Sequence, residues 1–173
     1  MKTACALLLL LTLSACASTP FSTTVKQVDT ARFMGEWYIL AGRFTAFEKE
    51  VYNSRENFSW NEKENRVDID FSYRFGDFSG EHKSLPQKAH IKNSPINTRW
   101  DVQPFWPLHF EHVIVALADD YSWAAIGVPD QKYLWIVARD WKNPSSSIDK
   151  AMSALRATGY SIQNLIEVPQ KWP

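Results

Sequence analysis

Alternation of hydrophobic and polar residues is the dominant pattern of the chain. In its clearest run, five apolar side chains alternate with charged or polar ones: Val67, Ile69, Phe71, Tyr73 and Phe75. Successive side chains of a strand point to opposite faces of a sheet. This run therefore predicts a strand with one buried face and one solvated face.

Similar segments follow one another along the chain, with no helix predicted between any two of them. They are residues 36–43, 52–60, 66–75, 78–91, 99–105, 112–118, 121–128 and 133–139. We expect the fourth to be broken near Pro86 and the turn before it to be a tight hairpin at Gly76-Asp77. Short turns favour antiparallel neighbours, and such a sheet has exposed edges unless it closes. The sequence thus predicts an all-β fold, an eight-stranded antiparallel up-and-down barrel that could hold a small ligand.

One helix is predicted after the strands, packed on the outside of the barrel. Pro144 and the serines 145–147 offer an N-cap, with Asp149 in the first turn. Gly159 ends the helix. The apolar residues at helical spacing are Ile148, Ala151, Met152 and Leu155.

The N-terminus reads as a targeting segment. Residues 1–15 have a positive start at Lys2 and an apolar stretch too short to span a bilayer. Residues 13–16 resemble the bacterial lipobox, which implies that Cys16 becomes the acylated first residue. The alternative is an ordinary secretory signal that contains a cysteine. We expect 16–30 to be a lipidated tether and 31–173 to be the barrel domain.

Composition narrows the class of protein further. The 173 residues suit one domain, and equal numbers of basic and acidic residues, 19 each, give no indication of nucleic-acid binding. The 8 Trp, 6 Tyr and 10 Phe suit a β-rich core or a pocket for an apolar ligand. Both cysteines lie within the first 16 residues, so no disulfide is expected in the body of the protein.

Three short blocks carry a resemblance to a known family. Residues 35–38 (Gly-Glu-Trp-Tyr) open the first strand, Asp120 and Tyr121 form a turn, and residues 133–139 end in Arg139. In this order and spacing they resemble the lipocalins, and most closely the bacterial lipoprotein lipocalins. Asp119 departs from the pattern, because the family usually has threonine there.

The resemblance implies a fold, a location and several structural roles. Arg139 would lie over Trp37 at the closed end of the barrel, and Gly35, Asp120 and Tyr121 would also be structural. Ala17 after the lipidated cysteine, in place of aspartate, implies the outer membrane of a bacterial cell, with the protein facing the periplasm. Several acyl chains would give a durable anchor.

Counting alternate residues from these anchors predicts which side chains face the ligand. The strand at 121–128 cannot be phased, because Trp123 and Ile126 fall on opposite faces. The predicted ligand-binding residues are Glu56, Phe58, Phe71, Tyr73, Ile91, Trp100, Val102, Tyr133 and Trp135.

Glu56 is unusual in this set, because an unpaired carboxylate in an apolar cavity is energetically costly. It could lie near a wet mouth or pair with an inward cation. It could instead meet a polar or cationic head group while an acyl chain fills the aromatic interior.

No arrangement of residues indicates an enzyme, and we expect no cofactor. The sequence has no nucleophile elbow, P-loop or HExxH motif. His109 and His112 have a spacing that suits a helix better than a strand, and no further metal ligand is apparent, so no metal site is predicted.

The sequence therefore predicts a membrane-anchored binding protein for a fatty acid or lysophospholipid, which it would store or transport in the bacterial envelope. The alternative is a structural or assembly lipoprotein whose barrel is filled by its own side chains. Phe47, Phe105 and Trp106 could line an open end or a contact between two copies in a homodimer.

Overall fold

The computed structural model describes residues 20–48 and 50–173, without the side chain of Phe47. The predicted signal peptide, Cys16 and the first part of the tether lie outside the described residues. Two α-helices and nine strands are present in the described part, with a 3-10 helix at Ala46–Glu48 between β1 and β2. The helices are α1 (Thr30–Phe33) and α2 (Pro144–Thr158). The strands are β1 (Gly35–Arg43), β2 (Val51–Asn61), β3 (Arg66–Phe75), β4 (His82–Ile91), β5 (Arg99–Gln103), β6 (Phe110–Leu117), β7 (Trp123–Gly127), β8 (Leu134–Ala138) and β9 (Ile166–Glu167).

The first eight strands form a closed antiparallel barrel. Each pairs with the next one along the chain from β2 to β8, and β1 closes the sheet by pairing with both β8 and β2. Closure removes the exposed edges that an open sheet of this size would have. The predicted fold is confirmed, including the helix outside the barrel.

The C-terminal segment completes the wall beside β1. β1 pairs with β2 only over Gly35–Tyr38, and β9 pairs with Ala41 and Gly42 farther along the same strand. The amide of Gln170 then donates to the carbonyl of Ile39 at 2.7 Å and to that of Ser54 at 2.9 Å. The tail therefore fills a gap between β1 and β2 that their own pairing leaves open.

Two apolar clusters stabilise this architecture. One fills the barrel interior and includes Trp37, Phe58 and Trp100, while the other lies between the outer face of the barrel and α2. Ile148, Ala151 and Leu155 of α2 are buried in the outer cluster. Ile126 belongs to the inner cluster and Trp123 packs against the outer one. The structure therefore shows which face of β7 points into the barrel, which the sequence left open.

Four local predictions are wrong. β4 is continuous through Pro86, which pairs with Asp70 of β3. On its other side β4 pairs with β5 only from Lys88 onward. Pro86 is tolerated because the side of β4 that faces β5 is unpaired at this position. The turn after β3 spans residues 76–81 instead of a tight hairpin, and Phe75 is half exposed because β3 extends to the rim.

The start of α2 also differs from the prediction. Asn143 occupies the N-cap position without a side-chain hydrogen bond, Pro144 is in the first turn, and no acidic residue lies there. Proline suits this position because its missing N–H would have no partner in the helix. Gly159 ends the helix in a left-handed conformation, φ 77°, as predicted.

Candidate functional site

The two ends of the barrel differ in how their interiors are filled. At the end where β1 begins, which we call the closed end, aromatic side chains meet around Phe33 of α1. The ring centroid of Phe33 lies 5.0 Å from that of Trp37, 5.4 Å from Phe58 and 5.2 Å from Trp100. Phe58 and Trp100 are themselves 5.8 Å apart. These side chains fill the interior of this half of the barrel. A surface depression of about 550 Å³ lies outside them at the same end, and its lining includes Met34, Trp60 and Ile91.

Arg139 seals the closed end from outside this aromatic group. Its guanidinium lies over the ring of Trp37 and donates to the main-chain carbonyls of Glu36 at 2.7 Å and Met34 at 2.8 Å. It also donates to the carbonyls of Arg32 at 2.8 Å and Phe33 at 3.1 Å. The planar cation thus ties β8 to the segment that enters β1.

The other predicted structural residues lie nearby. The positive φ of Gly35, 94°, brings the backbone close to Arg139, and a Cβ there would lie 3.2 Å from its Nη1. The carboxylate of Asp120 accepts from the amide of Ser122 at 2.9 Å. The hydroxyl of Tyr121 accepts from the amide of Asp29 at 2.8 Å.

A cavity occupies the opposite half, which we call the open end. Its volume is about 70 Å³, and about 610 Å³ is free of protein atoms when its open mouth is included. Pockets for small molecules are usually about 300–1,000 Å³, so the cavity is small but continuous with a wider mouth. It is lined by Thr45, Glu48, Glu56, Phe71, Tyr73, Leu85, Gln87, Pro104, Phe105, Leu108, Phe110, His112 and Trp135.

Glu48 enters the cavity from the 3-10 helix between β1 and β2. Its Oε1 accepts from the indole N–H of Trp135 at 2.7 Å, and its Oε2 accepts from the hydroxyl of Thr45 at 2.7 Å. The backbone amide of Thr45 also donates to Oε2, at 3.2 Å. Burial raises the pKa of this carboxyl, and the three hydrogen bonds only partly oppose that rise. The bond to Trp135 fixes the position of the indole in the cavity wall.

Glu56 lies deeper and is 8% exposed. Burial, with a smaller contribution from the negative charge of Glu48, raises the pKa of Glu56 to about 8. Within residues 20–48 and 50–173, its carboxyl has no side-chain hydrogen bond and no ion pair. The carboxyl is therefore mostly protonated and uncharged at pH 7.

His112 completes the polar group. Its ring lies 4.8 Å from the ring of Trp135, with an interplanar angle of 34°. Burial lowers the pKa of His112 to about 4, so the imidazole is uncharged at neutral pH. Two carboxyls and one imidazole, held against an indole, face the same small hollow.

The structure separates the predicted ligand-binding residues by their position along the barrel. Glu56, Phe71, Tyr73 and Trp135 line the cavity. Phe58, Trp100 and Val102 belong to the inner core, and Ile91 packs against it. Tyr133 also packs against this core, but it lies in the β7–β8 loop at the open end and lines a surface depression there. Alternation identified the inward face correctly but carries no information about height along the barrel.

Several cavity residues were not predicted. Glu48 lies in the 3-10 helix between β1 and β2, where strand parity does not apply. Phe110 begins a strand two residues earlier than the sequence indicated. His112 was considered only with His109, yet the two differ in surroundings. His109 is solvent-exposed, 3.2 Å from a carboxylate oxygen of Asp101, whereas His112 points inward. The predicted strand at 112–118 already contained His112, and counting alternate residues along that strand could have placed this side chain on the inner face.

A closed antiparallel barrel with one solid end and an apolar hollow at the other is typical of proteins that bind small apolar molecules. The chain belongs to the lipocalin-like family, since the family model described as Lipocalin-like domain matches residues 28–170. Lipocalins are generally binding proteins.

Named relatives and solved structures agree with this assignment. The chain is 24% identical over 161 residues to the outer membrane lipoprotein Blc of Vibrio cholerae, covering 92% of this chain and 93% of that one. It is 25% identical over 152 residues to temperature-induced lipocalin-1 of Arabidopsis thaliana, covering 84% and 81%. Insecticyanin of the tobacco hornworm Manduca sexta shares the fold, with TM-score 0.66 and 14% identity over 90% of this chain and 86% of that one.

Together the family and the bacterial relatives support a lipoprotein of the cell envelope that binds small hydrophobic ligands. Among the described residues, no helix is both long and apolar enough to cross a membrane.

Proposed function

We propose that this protein binds a fatty acid or lysophospholipid at its open end, while acyl chains on Cys16 anchor it in the bacterial outer membrane, facing the periplasm. The acyl tail would occupy the aromatic hollow, and the head group would meet Glu48, Glu56 and His112. The observation that carries this proposal is a hollow with apolar walls and a few convergent polar groups, the usual character of a site for an amphipathic small molecule.

The small cavity volume sets a condition on binding. A long acyl chain needs more room than about 70 Å³, so side chains at the mouth have to move outward as it enters. Phe105 and Leu108 line both the cavity and its opening, and both are substantially exposed. Their displacement would join the inner hollow to the wider space at the mouth.

The polar group also distinguishes two head-group chemistries. A protonated Glu56 can donate a hydrogen bond to the carboxylate of a fatty acid. An ionised Glu56 can pair with the cationic amine of a zwitterionic lysophospholipid, which would lower its pKa. The two lipid classes therefore favour opposite protonation states of one side chain.

The solid closed end supports the alternative function, an assembly or structural lipoprotein without lipid cargo. Half of the barrel is filled by its own aromatic side chains. Native mass spectrometry of the processed protein from its own membranes separates the two functions. A co-purifying lipid is expected for the carrier, and a ligand-free barrel that retains an envelope complex is expected for the alternative.

Binding in the cavity is tested directly by filling it. Leu85→Trp places a large ring in the hollow, and we expect it to abolish binding of lysophosphatidylethanolamine and palmitate. Ile96→Trp is the matched control, because Ile96 is exposed in the loop between β4 and β5 at the closed end. Equal binding by both variants would contradict the proposed site.

A further inference from the structure

The open end carries a cluster of exposed apolar side chains, of which only Phe105 and Leu108 line the cavity. Of the eight large hydrophobic residues exposed in the described part of the chain, five lie at the β3–β4 turn or in the β5–β6 loop, both at this end. We call them the apolar rim: Phe75, Phe78, Phe105, Trp106 and Leu108. The first two border the β3–β4 turn, and the last three lie in the β5–β6 loop.

Trp106 is the most prominent member of the apolar rim. It is 83% exposed, and the five residues 104–108 around it contain no charged side chain. Exposed apolar patches of this kind mark surfaces that contact another molecule or a membrane. Trp is also the side chain that prefers the boundary between lipid and water.

The path of the N-terminal segment shows at which end of the barrel the chain toward Cys16 leaves the fold. It runs from the open end to the closed end, where Val28 is buried in the inner cluster. The amide of Val28 donates to the carbonyl of Ile96 at the closed end, at 2.9 Å, and Val25 bonds to the middle of β6. The amide of Phe21 donates to the carbonyl of Pro129, at 2.7 Å, in the loop that joins β7 to β8 at the open end.

Phe21 is held firmly in this place. Its ring lies 4.8 Å from that of Tyr160 in an edge-to-face contact. Pro129 and His109 line one surface depression, so the β7–β8 loop adjoins the loop that carries Trp106. The described chain therefore emerges beside the apolar rim.

Chain length limits how far the membrane anchor can be from this point. Cys16 is five positions before Phe21, and an extended chain spans at most about 3.6 Å per position, or roughly 18 Å in all. An anchor at Cys16 would hold the open end close to the lipid surface. A barrel whose chain emerged at the closed end would be held the other way round.

We infer that the apolar rim rests on the lipid surface in which Cys16 is anchored, so that the cavity mouth opens onto the membrane. This inference rests on the acylation of Cys16 in the proposed function. Trp106 and Leu108 then insert among the lipid head groups, and an acyl chain passes between bilayer and cavity without crossing water. The closed end, with its polar loop at 62–65, faces away from the membrane.

Lipid-embedded quenchers test this orientation. Cys5 lies in the predicted signal peptide and Cys16 is a thioether once acylated, so Trp106→Cys introduces the one free thiol of the mature chain. A fluorophore attached there is measured in vesicles of phosphatidylethanolamine and phosphatidylglycerol that contain a nitroxide lipid. Trp60→Cys is the matched control, because Trp60 is 40% exposed near the closed end of β2.

We expect quenching at position 106 to exceed that at position 60 by several fold. Equal quenching at the two positions overturns the inference. If the label at position 106 is shielded from the quencher and native mass spectrometry gives the mass of two chains, the inference is wrong. The apolar rim is then the contact between two copies in a dimer.

The same samples separate this inference from the proposed function. Intact mass reports the acyl chains on Cys16, and their absence overturns both. An acylated protein that binds lysophosphatidylethanolamine without quenching at position 106 overturns only the orientation. Quenching at position 106 without any lipid binding supports the orientation and contradicts the carrier.

Discussion

The guanidinium carbon of Arg139 lies 3.8 Å from the centroid of the Trp37 ring, and the same group donates to four main-chain carbonyls. This contact joins the last barrel strand to the first at the closed end. Burial lowers the pKa of Arg139, yet a guanidinium remains charged there. We expect this contact to close the barrel without taking part in ligand binding.

Arg139→Lys is expected to destabilise the protein by about 1–3 kcal/mol while leaving lipid affinity unchanged. A lysine keeps the charge, but it cannot cover the indole and reach four carbonyls at once, so buried acceptors lose their partners. Thermal melting and a lipid titration measure the two effects. A variant that melts like the parent, or that binds lipid more weakly at equal stability, would contradict the structural role.

Tyr160 gives a second stability prediction, because its buried hydroxyl accepts from the amide of Val128 at 2.9 Å. It can also donate to the carbonyl of Tyr133 at 2.8 Å. Tyr160→Phe leaves the amide without a partner, and we expect a loss of about 1–3 kcal/mol. Tyr73→Phe is the control, because within the described residues the Tyr73 hydroxyl makes no hydrogen bond. Equal melting temperatures for the two variants would refute the prediction.

Stability is expected to fall as pH rises from about 6.5 to 8. The folded-state pKa of Glu56, about 8, lies above the ordinary value of 4.5, so the folded protein binds more protons than the unfolded chain between these values. The stabilisation is complete below pH 4.5 and is lost as pH rises toward 8. The raised pKa of Glu48 acts in the same direction.

His112 opposes this trend at lower pH. Its folded pKa of about 4 lies below the ordinary value of 6.5, so its contribution is complete above pH 6.5 and is lost as pH falls toward 4. Between about pH 4.5 and 6.5, the stability lost through Glu56 as pH rises is largely offset by the stability gained through His112. Above pH 6.5 the change in stability is due to Glu56.

Across that upper window the free energy of unfolding should decrease by about 2 kcal/mol. Chemical denaturation at a series of pH values measures this decrease. Glu56→Gln should remove most of it, whereas Glu62→Gln, in an exposed turn, should retain it. An unchanged slope in Glu56→Gln would show that Glu56 ionises normally.

Ligand affinity provides the fourth prediction. Between pH 7 and 9, affinity for palmitate should fall about tenfold, as Glu56 loses the proton it donates. Affinity for lysophosphatidylethanolamine should rise over the same range if its amine pairs with the ionised carboxylate. Isothermal titration at three pH values measures both.

Glu56→Gln should flatten both pH profiles and reduce the preference for zwitterionic over anionic lipids. Phe71 lines the same cavity without an ionisable group, so Phe71→Leu should retain both pH dependences. Equal losses of affinity for both lipid classes in Glu56→Gln would rule out a head-group role for this side chain.

The sequence by itself determined the strands, the barrel and its closed end. Strict alternation over 67–75 and the three family blocks depend on local spacing, which the chain carries directly. Parity placed Glu56 on the inner face with Phe58, and it placed Trp135 there when counted from Arg139, whose position the family resemblance implied. The predicted acylation of Cys16 lies outside the described residues and stays a prediction.

The tertiary structure decided how far along the barrel each inward side chain lies. Parity places Phe58 and Phe71 on one face, but only the closed sheet shows that Phe58 is packed against Phe33 while Phe71 borders the cavity. Glu48 reaches the cavity from a 3-10 helix, and the N-terminal segment emerges at the open end beside Pro129. These positions depend on contacts between residues distant in sequence, which a local pattern of hydrophobic and polar side chains does not encode.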